Sequence, residues 1–176
     1  ANRDGYDDLL VVGESGIAVA RGGYSGLNPT GVTFDFAPGS CRSCAWGDLN
    51  SDGVLDIIVG SDAHGVVIFR GVSDAGTSYI RVASPRTGVA VASVAVVDFD
   101  GDSNLDLTVS EGTSGDRFYT GDGLGNFQLL TNADSGLPSS SHAWGDIDND
   151  GNLDRCRNGI GQPALSQFGQ RTAPGY

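Results

Sequence analysis

Short hydrophobic runs recur along the chain, and turns rich in glycine, serine and aspartate separate them. The runs have the length and β-branched content of strands, and no stretch keeps a helical period. First runs of this kind occupy residues 9–12, 57–59 and 107–109, with a weaker one at 155–157. Second runs follow at residues 16–20, 66–70 and 117–119. This pattern predicts an all-β protein.

Two further kinds of run complete a unit of four predicted strands. Short approach strands precede three of the first runs, at residues 45–47, 95–97 and 143–145. Closing runs occupy residues 32–36, 78–82 and 127–130, and residues 137–141 are predicted to form a loop between two units. One domain, residues 1–176, is therefore predicted to contain four units. These are residues 1–40, 41–90, 91–138 and 139–176, of which the first and the last are incomplete.

An aspartate-rich segment stands between the approach strand and the first run of each unit. The most regular copy, residues 146–154, reads DIDNDGNLD. Oxygen side chains at its positions 1, 3, 5 and 9 can converge on one centre, and glycine at position 6 permits the sharp turn that this requires. The residue at position 7 would add its backbone carbonyl. Hard oxygen ligands in this number favour Ca²⁺ over Zn²⁺.

The segment occurs four times at nearly constant spacing. The last aspartates of the copies, Asp8, Asp56, Asp106 and Asp154, are 48, 50 and 48 residues apart. A fixed period of this size indicates a repeat architecture, and four-stranded units are typical of propeller blades. The predicted ligands are Asn2, Asp4, Tyr6 and Asp8; Asp48, Asn50, Asp52, Val54 and Asp56; Asp98, Asp100, Asp102, Asn104 and Asp106; and Asp146, Asp148, Asp150, Asn152 and Asp154. They predict three calcium sites and a weaker fourth in the first copy.

The motif D-x-[DN]-x-D-G-x-x-D, followed by a hydrophobic strand and preceded by A-W-G-D, resembles the FG-GAP and VCBS-type repeats of integrin-alpha-like propellers. The resemblance extends from Asn2 to about Phe168. It implies a β-propeller-like array of four-stranded antiparallel blades that bind calcium. Two departures weaken the expectation of full occupancy: the first copy lacks its opening aspartate, and the third has Ser103 in place of glycine.

The charge of the chain is concentrated in these loops. Thirteen of the 22 acidic residues are predicted calcium ligands, and the net charge is −12. Without metal the crowded carboxylates repel one another, so calcium should stabilise the fold. Extracellular modules bind calcium at about 10⁻⁴–10⁻³ M, which favours secretion or a cell-surface location. No basic stripe predicts a nucleic-acid partner, and no apolar run of membrane-spanning length occurs.

The remaining candidate chemistry is sparse. Lysine is absent, histidine occurs twice, and most carboxylates are assigned to metal, so we predict no enzyme activity. The Cys41-x-x-Cys44 pair permits a local disulfide, two free thiols, or a metal or redox role. Cys156 is predicted to be a small buried residue. Trp46 and Trp144 are predicted to pack between blades, with sugar stacking as the alternative.

Two functions fit this pattern. The first is a secreted, non-catalytic propeller module that recognises a glycan or a protein in adhesion. The second is a structural subunit of an extracellular fibre or surface assembly, because incomplete units leave strand edges that another copy can pair. The incomplete units are compatible with a segment of a longer propeller, a protomer completed by its neighbours, or a compact four-bladed ring.

Overall fold

The computed structural model describes residues 2–34, 39, 41–73, 78–130, 139–159 and 165–167, the last three by their backbone alone. Within these ranges the chain contains β-strands and turns and no helix, as predicted. Accordingly, no helical span long and apolar enough to cross a membrane occurs among the described residues.

Four antiparallel sheets follow one another along the chain, and in each the strand order equals the chain order. Sheet 1 consists of β1 (Leu9–Gly13), β2 (Gly16–Arg21) and β3 (Asn28–Pro29). Sheet 2 consists of β4 (Cys41–Gly47), β5 (Asp56–Ser61), β6 (Gly65–Gly71) and β7 (Tyr79–Val82). Sheet 3 consists of β8 (Ser93–Val97), β9 (Asp106–Ser110), β10 (Asp116–Gly121) and β11 (Phe127–Leu129). Sheet 4 consists of β12 (Ser139–Gly145), β13 (Asp154–Gly159) and β14 (Leu165–Gln167). Each sheet lies within one of the predicted units.

The prediction of a closing strand at residues 32–36 is wrong for its described part, residues 32–34. The strand that pairs with β2 in this sheet is β3, through Ala20 with Pro29 and Arg21 with Asn28. Gly31 adopts a φ of +67°, which ends the extended chain. Phe34 then turns inward, and its ring lies 5.0 Å from that of Phe69. Residues 35 and 36 lie outside the described residues.

The loop predicted at residues 137–141 is wrong from Ser139 onward. Ser139 begins β12 and is fully buried. Its hydroxyl donates a hydrogen bond to Asp116 of sheet 3 and lies 3.0 Å from the hydroxyl of Ser110. Serine is common in turns, which is why the sequence predicted a loop. Here the buried carboxylate of Asp116, in the neighbouring sheet, accepts a hydrogen bond from the Ser139 hydroxyl, and the residue lies in a strand. Residues 137 and 138 lie outside the described residues.

The core lies between neighbouring sheets, and both faces of the central strands contribute to it. In sheet 2, Ile57 and Val59 pack toward sheet 1, whereas Ile58 packs toward sheet 3. In sheet 3, Leu107 and Val109 pack in turn against sheet 2. The first and third residues after the last loop aspartate therefore face the preceding sheet, and the second faces the following sheet.

The boundary between sheets 3 and 4 is aromatic and charged. Trp144 stacks on Phe99 with ring centroids 5.8 Å apart. Arg155 lies 4.6 Å above the Phe118 ring and donates a 2.7 Å hydrogen bond to Asp116, which is fully buried. Trp46 packs likewise into the cluster between sheets 1 and 2. Both tryptophans therefore lie between sheets, as predicted.

The prediction that Cys156 is buried is wrong. Cys156 is exposed, while Arg155 and Arg157 on either side of it are buried against sheet 3. The alternation along β13 follows that of the other sheets, so Cys156 stands on the face that would meet a following sheet. No sheet among the described residues covers that face.

The connections between strands lie at two opposite ends of the sheets. The aspartate-rich segments lie at one end of the strands, here called the loop edge, together with the connections β2–β3, β6–β7 and β10–β11. The connections β1–β2, β5–β6 and β9–β10 (residues 14–15, 62–64 and 111–115) lie at the opposite end, here called the hairpin edge.

Candidate metal centre

Four loops with one sequence pattern occupy the loop edge. Loop 1 (residues 2–8) precedes β1; loop 2 (residues 48–56), loop 3 (residues 98–106) and loop 4 (residues 146–154) each connect the first strand of a sheet to the second. Because the sheets stand side by side, the four loops recur in the same structural context.

The loop backbone is left-handed at two positions. Position 6 has φ between +75° and +88° in Gly5, Gly53, Ser103 and Gly151. Position 4 has φ between +56° and +75° in Arg3, Ser51, Gly101 and Asn149. Loop 3 thus carries its glycine at position 4, and Ser103 nevertheless takes the conformation that glycine takes elsewhere. The missing glycine therefore does not change the shape of loop 3.

The opening carboxylate organises the turn in each complete loop. In loop 2, Asp48 accepts hydrogen bonds from the backbone N–H groups of Asp52 (3.1 Å) and Gly53 (2.8 Å). Asp98 and Asp146 accept the corresponding bonds in loops 3 and 4. These bonds curl the chain around position 1.

In every loop the carboxylate at position 5 accepts a hydrogen bond from the backbone N–H of position 7. Asp52, Asp102 and Asp150 each accept a 2.8 Å bond from the backbone N–H two residues later, and Asp4 accepts one of 3.0 Å. Hydrogen bonds of this kind lower the pKa of all four carboxyls, although for Asp52 the side-chain amide of Asn50 is the largest cause. These groups therefore favour the ionised form that a cation requires.

The last aspartate of each loop attaches the loop to its sheet through hydrogen bonds with backbone N–H groups. Asp56 is fully buried, and its two oxygens accept bonds from the N–H groups of Leu49 (3.0 Å) and Gly71 (2.9 Å). Asp106 accepts the equivalent pair from Phe99 and Gly121. Burial raises the pKa of Asp56 and Asp106, and the backbone donors partly offset this effect.

A glycine at the end of β6 and of β10, and directly after β2, makes this attachment possible. A Cβ on Gly71 would lie 2.6 Å from the Leu55 carbonyl oxygen, and one on Gly121 would lie 2.1 Å from that of Leu105. Gly22 stands in the same relation to Asp7, and its N–H donates to Asp8. Sequence reasoning missed this role, although these glycines follow the last aspartate by 14 or 15 residues in three units.

The predicted ligands are brought together in part. In loop 3 the carboxylates of Asp98, Asp100 and Asp106 have oxygens within 4.8 Å of one another. Asp146, Asp148 and Asp154 form the same group in loop 4. These are positions 1, 3 and 9; the position-5 carboxylates stand outside both groups.

The donor chemistry of loops 1 and 2 fits a hard cation. Asn2 and Asn50, at position 3, donate from their amide nitrogens to the position-5 carboxylates Asp4 and Asp52, each over 2.8 Å. The amide oxygens of both are buried and have no hydrogen-bond donor among the described residues. A buried acceptor without a donor is costly, and coordination of Ca²⁺ would satisfy it.

The cysteines do not assemble a metal site among the described residues. Cys41 and Cys44 are free thiols in β4 and belong to the cluster between sheets 1 and 2. A bulge between Cys41 and Ser43 brings the two thiols to one face of the strand. Burial raises the pKa of both, which favours the inert thiol form.

A cleft opens at the hairpin edge, about 460 Å³ in volume, and crosses sheets 2, 3 and 4. Its charged side chains are Arg42, Asp62 and Glu111, among small residues such as Ala92 and Ser140. Arg42 donates 2.8 Å from Nε to Asp62, and Glu111 is held by Arg86 and Arg117.

Comparison with known proteins assigns the family. The family model of the FG-GAP-like repeat matches residues 1–59 and 48–109, together more than half of the chain. No curated protein matches the chain. FG-GAP-like repeats often bind calcium, are typical of extracellular proteins and suggest an integrin-like adhesion or recognition module. The matched segments contain loops 1 to 3, and loop 4 repeats their geometry; the chain belongs to the FG-GAP-like repeat family.

Proposed function

We propose that this chain is a non-catalytic, calcium-stabilised recognition module of a secreted or cell-surface protein, with its four sheets arranged as propeller blades. Calcium holds the loop edge, and the hairpin edge binds a glycan or a protein ligand. The position of the cleft, at the edge opposite the acidic loops and across three sheets, is the observation that carries the proposal.

The separation of the two edges supports calcium binding at the loop edge and ligand binding at the hairpin edge. At the loop edge most polar groups already bind the backbone, and the remaining oxygens suit a cation. At the hairpin edge the Arg42 side chain is 58% exposed although it is paired with Asp62. Both groups can therefore exchange partners with hydroxyl, amide or charged groups of a ligand at little cost in desolvation.

A non-catalytic role is supported by the surroundings of a serine–histidine side-chain pair, Ser110 and His142. Ser110 Oγ lies 2.8 Å from His142 Nδ1. Asp116, however, binds Ser139 and Arg155 rather than the imidazole, and all of these groups lie between sheets 3 and 4. A catalytic triad requires the carboxylate to orient the histidine and the serine to reach a substrate.

Binding to panels of oligosaccharides and extracellular-matrix proteins tests the proposal. We expect the intact chain to bind one member in calcium and the Arg42→Ala, Asp62→Ala double variant to lose at least tenfold in affinity. Tyr24→Ser is the matched control, because Tyr24 is fully exposed at the loop edge. Equal binding by the double variant and the control would exclude the cleft as the recognition site.

A second candidate function, assembly with other copies of the chain, is supported by the outer face of sheet 1. Leu9 and Val11 are 43% and 48% exposed, whereas Ile57 and Val59 at the same positions of sheet 2 are fully buried. Exposed apolar residues on a sheet face favour contact with another sheet. Sedimentation over a range of concentrations tests this candidate: Leu9→Ser with Val11→Thr should abolish any self-association, and a monomeric wild type would exclude it.

A further inference from the structure

Loop 2 differs from loops 3 and 4 in its charge. Asn50 replaces an aspartate at position 3, so that loop 2 carries three carboxylates where loops 3 and 4 carry four. Two guanidinium groups from outside the loop, those of Arg3 and Arg70, also reach it.

Arg3 connects loop 1 to loop 2. It stands at position 4 of loop 1, and its Nη2 donates a hydrogen bond to the carbonyl oxygen of Gly53, at position 6 of loop 2. A Cβ built on Gly53 would lie 3.2 Å from this nitrogen, so the guanidinium rests directly on the turn.

Arg70 reaches the same loop from β6. Its Nη2 donates a 3.3 Å hydrogen bond to the carbonyl oxygen of Leu124, in the turn before β11. A Cβ built on the neighbouring Gly125 would lie 2.4 Å from that Nη2 and 3.6 Å from the Cβ of Asn50. The guanidinium of Arg70 therefore ends between loop 2 and the turn of sheet 3.

Neither guanidinium has a charged counterpart at loop 3. Ser51 stands at position 4 of loop 2, where loop 1 has Arg3, and Thr120 of β10 stands where β6 has Arg70.

We propose that loop 2 is a low-affinity calcium site whose strength is set by Arg3 and Arg70, so that it fills at higher calcium concentrations than loops 3 and 4. A divalent cation must enter against two nearby positive charges and with one carboxylate fewer. Because Arg3 belongs to loop 1 and Arg70 contacts the turn of sheet 3, occupation of loop 2 is coupled to contacts across both faces of sheet 2. The inference rests on the proposed binding of calcium.

The chain offers a natural replacement for each arginine. Asn149 occupies position 4 of loop 4 with φ +64°, so Arg3→Asn retains a residue that tolerates this backbone. Ile57 pairs with Phe69 and Leu107 with Tyr119, so Thr120 stands where Arg70 does, and Arg70→Thr is the corresponding change. We expect each variant to raise the calcium affinity of loop 2 by roughly three- to tenfold at low ionic strength, and by less in high salt.

Nitrogen-15 NMR titration with calcium chloride reads each loop separately, through the amides of Gly53, Ser103 and Gly151, which donate to the opening aspartates of loops 2, 3 and 4. Arg81→Gln, which removes an exposed guanidinium of β7 outside the cleft, should leave all three affinities unchanged. Two results would overturn this inference alone. The first is a wild type in which the Gly53 and Gly151 amides report equal calcium affinities for loops 2 and 4. The second is a calcium affinity of loop 2, read at Gly53, that neither arginine variant changes. No response at any of the three amides would overturn the calcium function itself.

Discussion

Ser103 shows how one residue adapts to a backbone that its side chain disfavours. Its φ of +75° is that of glycine in the other loops, and a left-handed conformation costs an L-residue about 1–2 kcal/mol. Ser103→Gly should therefore raise the free energy of unfolding by up to about 1 kcal/mol, because the greater freedom of glycine in the unfolded chain offsets part of the gain. Urea denaturation in saturating calcium measures this change. Gly101→Ser, at φ +75° in the same loop, should act in the opposite direction; a destabilised Ser103→Gly variant would contradict the account.

Single residues also mark the limit of what the motif predicts. The alternating aspartates and the glycine at position 6 indicate a cation loop, and the structure folds all four copies alike. The left-handed backbone at position 4 has no comparable signal, since Arg3, Ser51, Gly101 and Asn149 share neither size nor charge. The contact of Arg3 with Gly53 joins residues 50 positions apart in sequence, and the approach of the two loops exists only once the sheets have packed.

At the scale of the element, Asp56 joins loop 2 to β6 independently of any metal. Asp56→Asn replaces one carboxylate oxygen by an NH₂ group, so that two hydrogen-bond donors face each other. We expect a loss of about 1–3 kcal/mol in the free energy of unfolding even in excess chelator. Asp52→Asn is the control, because Asp52 is exposed and asparagine keeps an oxygen for the Val54 N–H. Chemical denaturation of both variants in chelator makes the comparison. Equal losses would show that the bonds from Asp56 to the backbone of Leu49 and Gly71 add no stability of their own.

The interface between sheets 3 and 4 makes stability depend on pH through His142. Burial, helped by the charge of Arg155 and opposed by that of Asp116, lowers the pKa of His142 from 6.5 to about 4. The unfolded chain therefore binds a proton more readily than the folded chain, and stability is lost as the pH falls from about 6.5 toward 4. At pH 5 this linkage amounts to about 2 kcal/mol for a shift of this size.

His142→Gln should remove this dependence, since glutamine keeps a polar group near Ser110 without titrating. Urea denaturation in saturating calcium at pH 7 and pH 5 compares the variant with the wild type, with His64→Gln as the control. A wild type that is equally stable at both values would show that the imidazole is hydrated or rearranges to accept the proton.

The sequence predicted which segments form strands. It did not predict which face of each strand is covered by a neighbouring sheet. Sheets 2 and 3 have continuous apolar strands, so local pattern and tertiary packing agree. In β13 the local pattern fails, because Arg155 is stabilised by Asp116 and Phe118 of another sheet. The prediction for Cys156 failed for a related reason, since burial at that position depends on a neighbouring sheet and not on its own repeat.

For the molecule as a whole, calcium is expected to act as a stabilising ligand distributed over one edge. Each bound ion adds about 2.7 kcal/mol when free calcium is 100 times the dissociation constant, and the crowded carboxylates repel one another without it. Excess chelator should therefore lower the melting temperature by many degrees, and added calcium should restore it. Magnesium should restore less, because it requires a tighter octahedron and loses its water reluctantly. Differential scanning calorimetry in calcium, magnesium and chelator decides the matter: a melting temperature that is the same in all three would show that the hydrogen bonds of Asp56, Asp106 and Asp154 hold the loops without any ion.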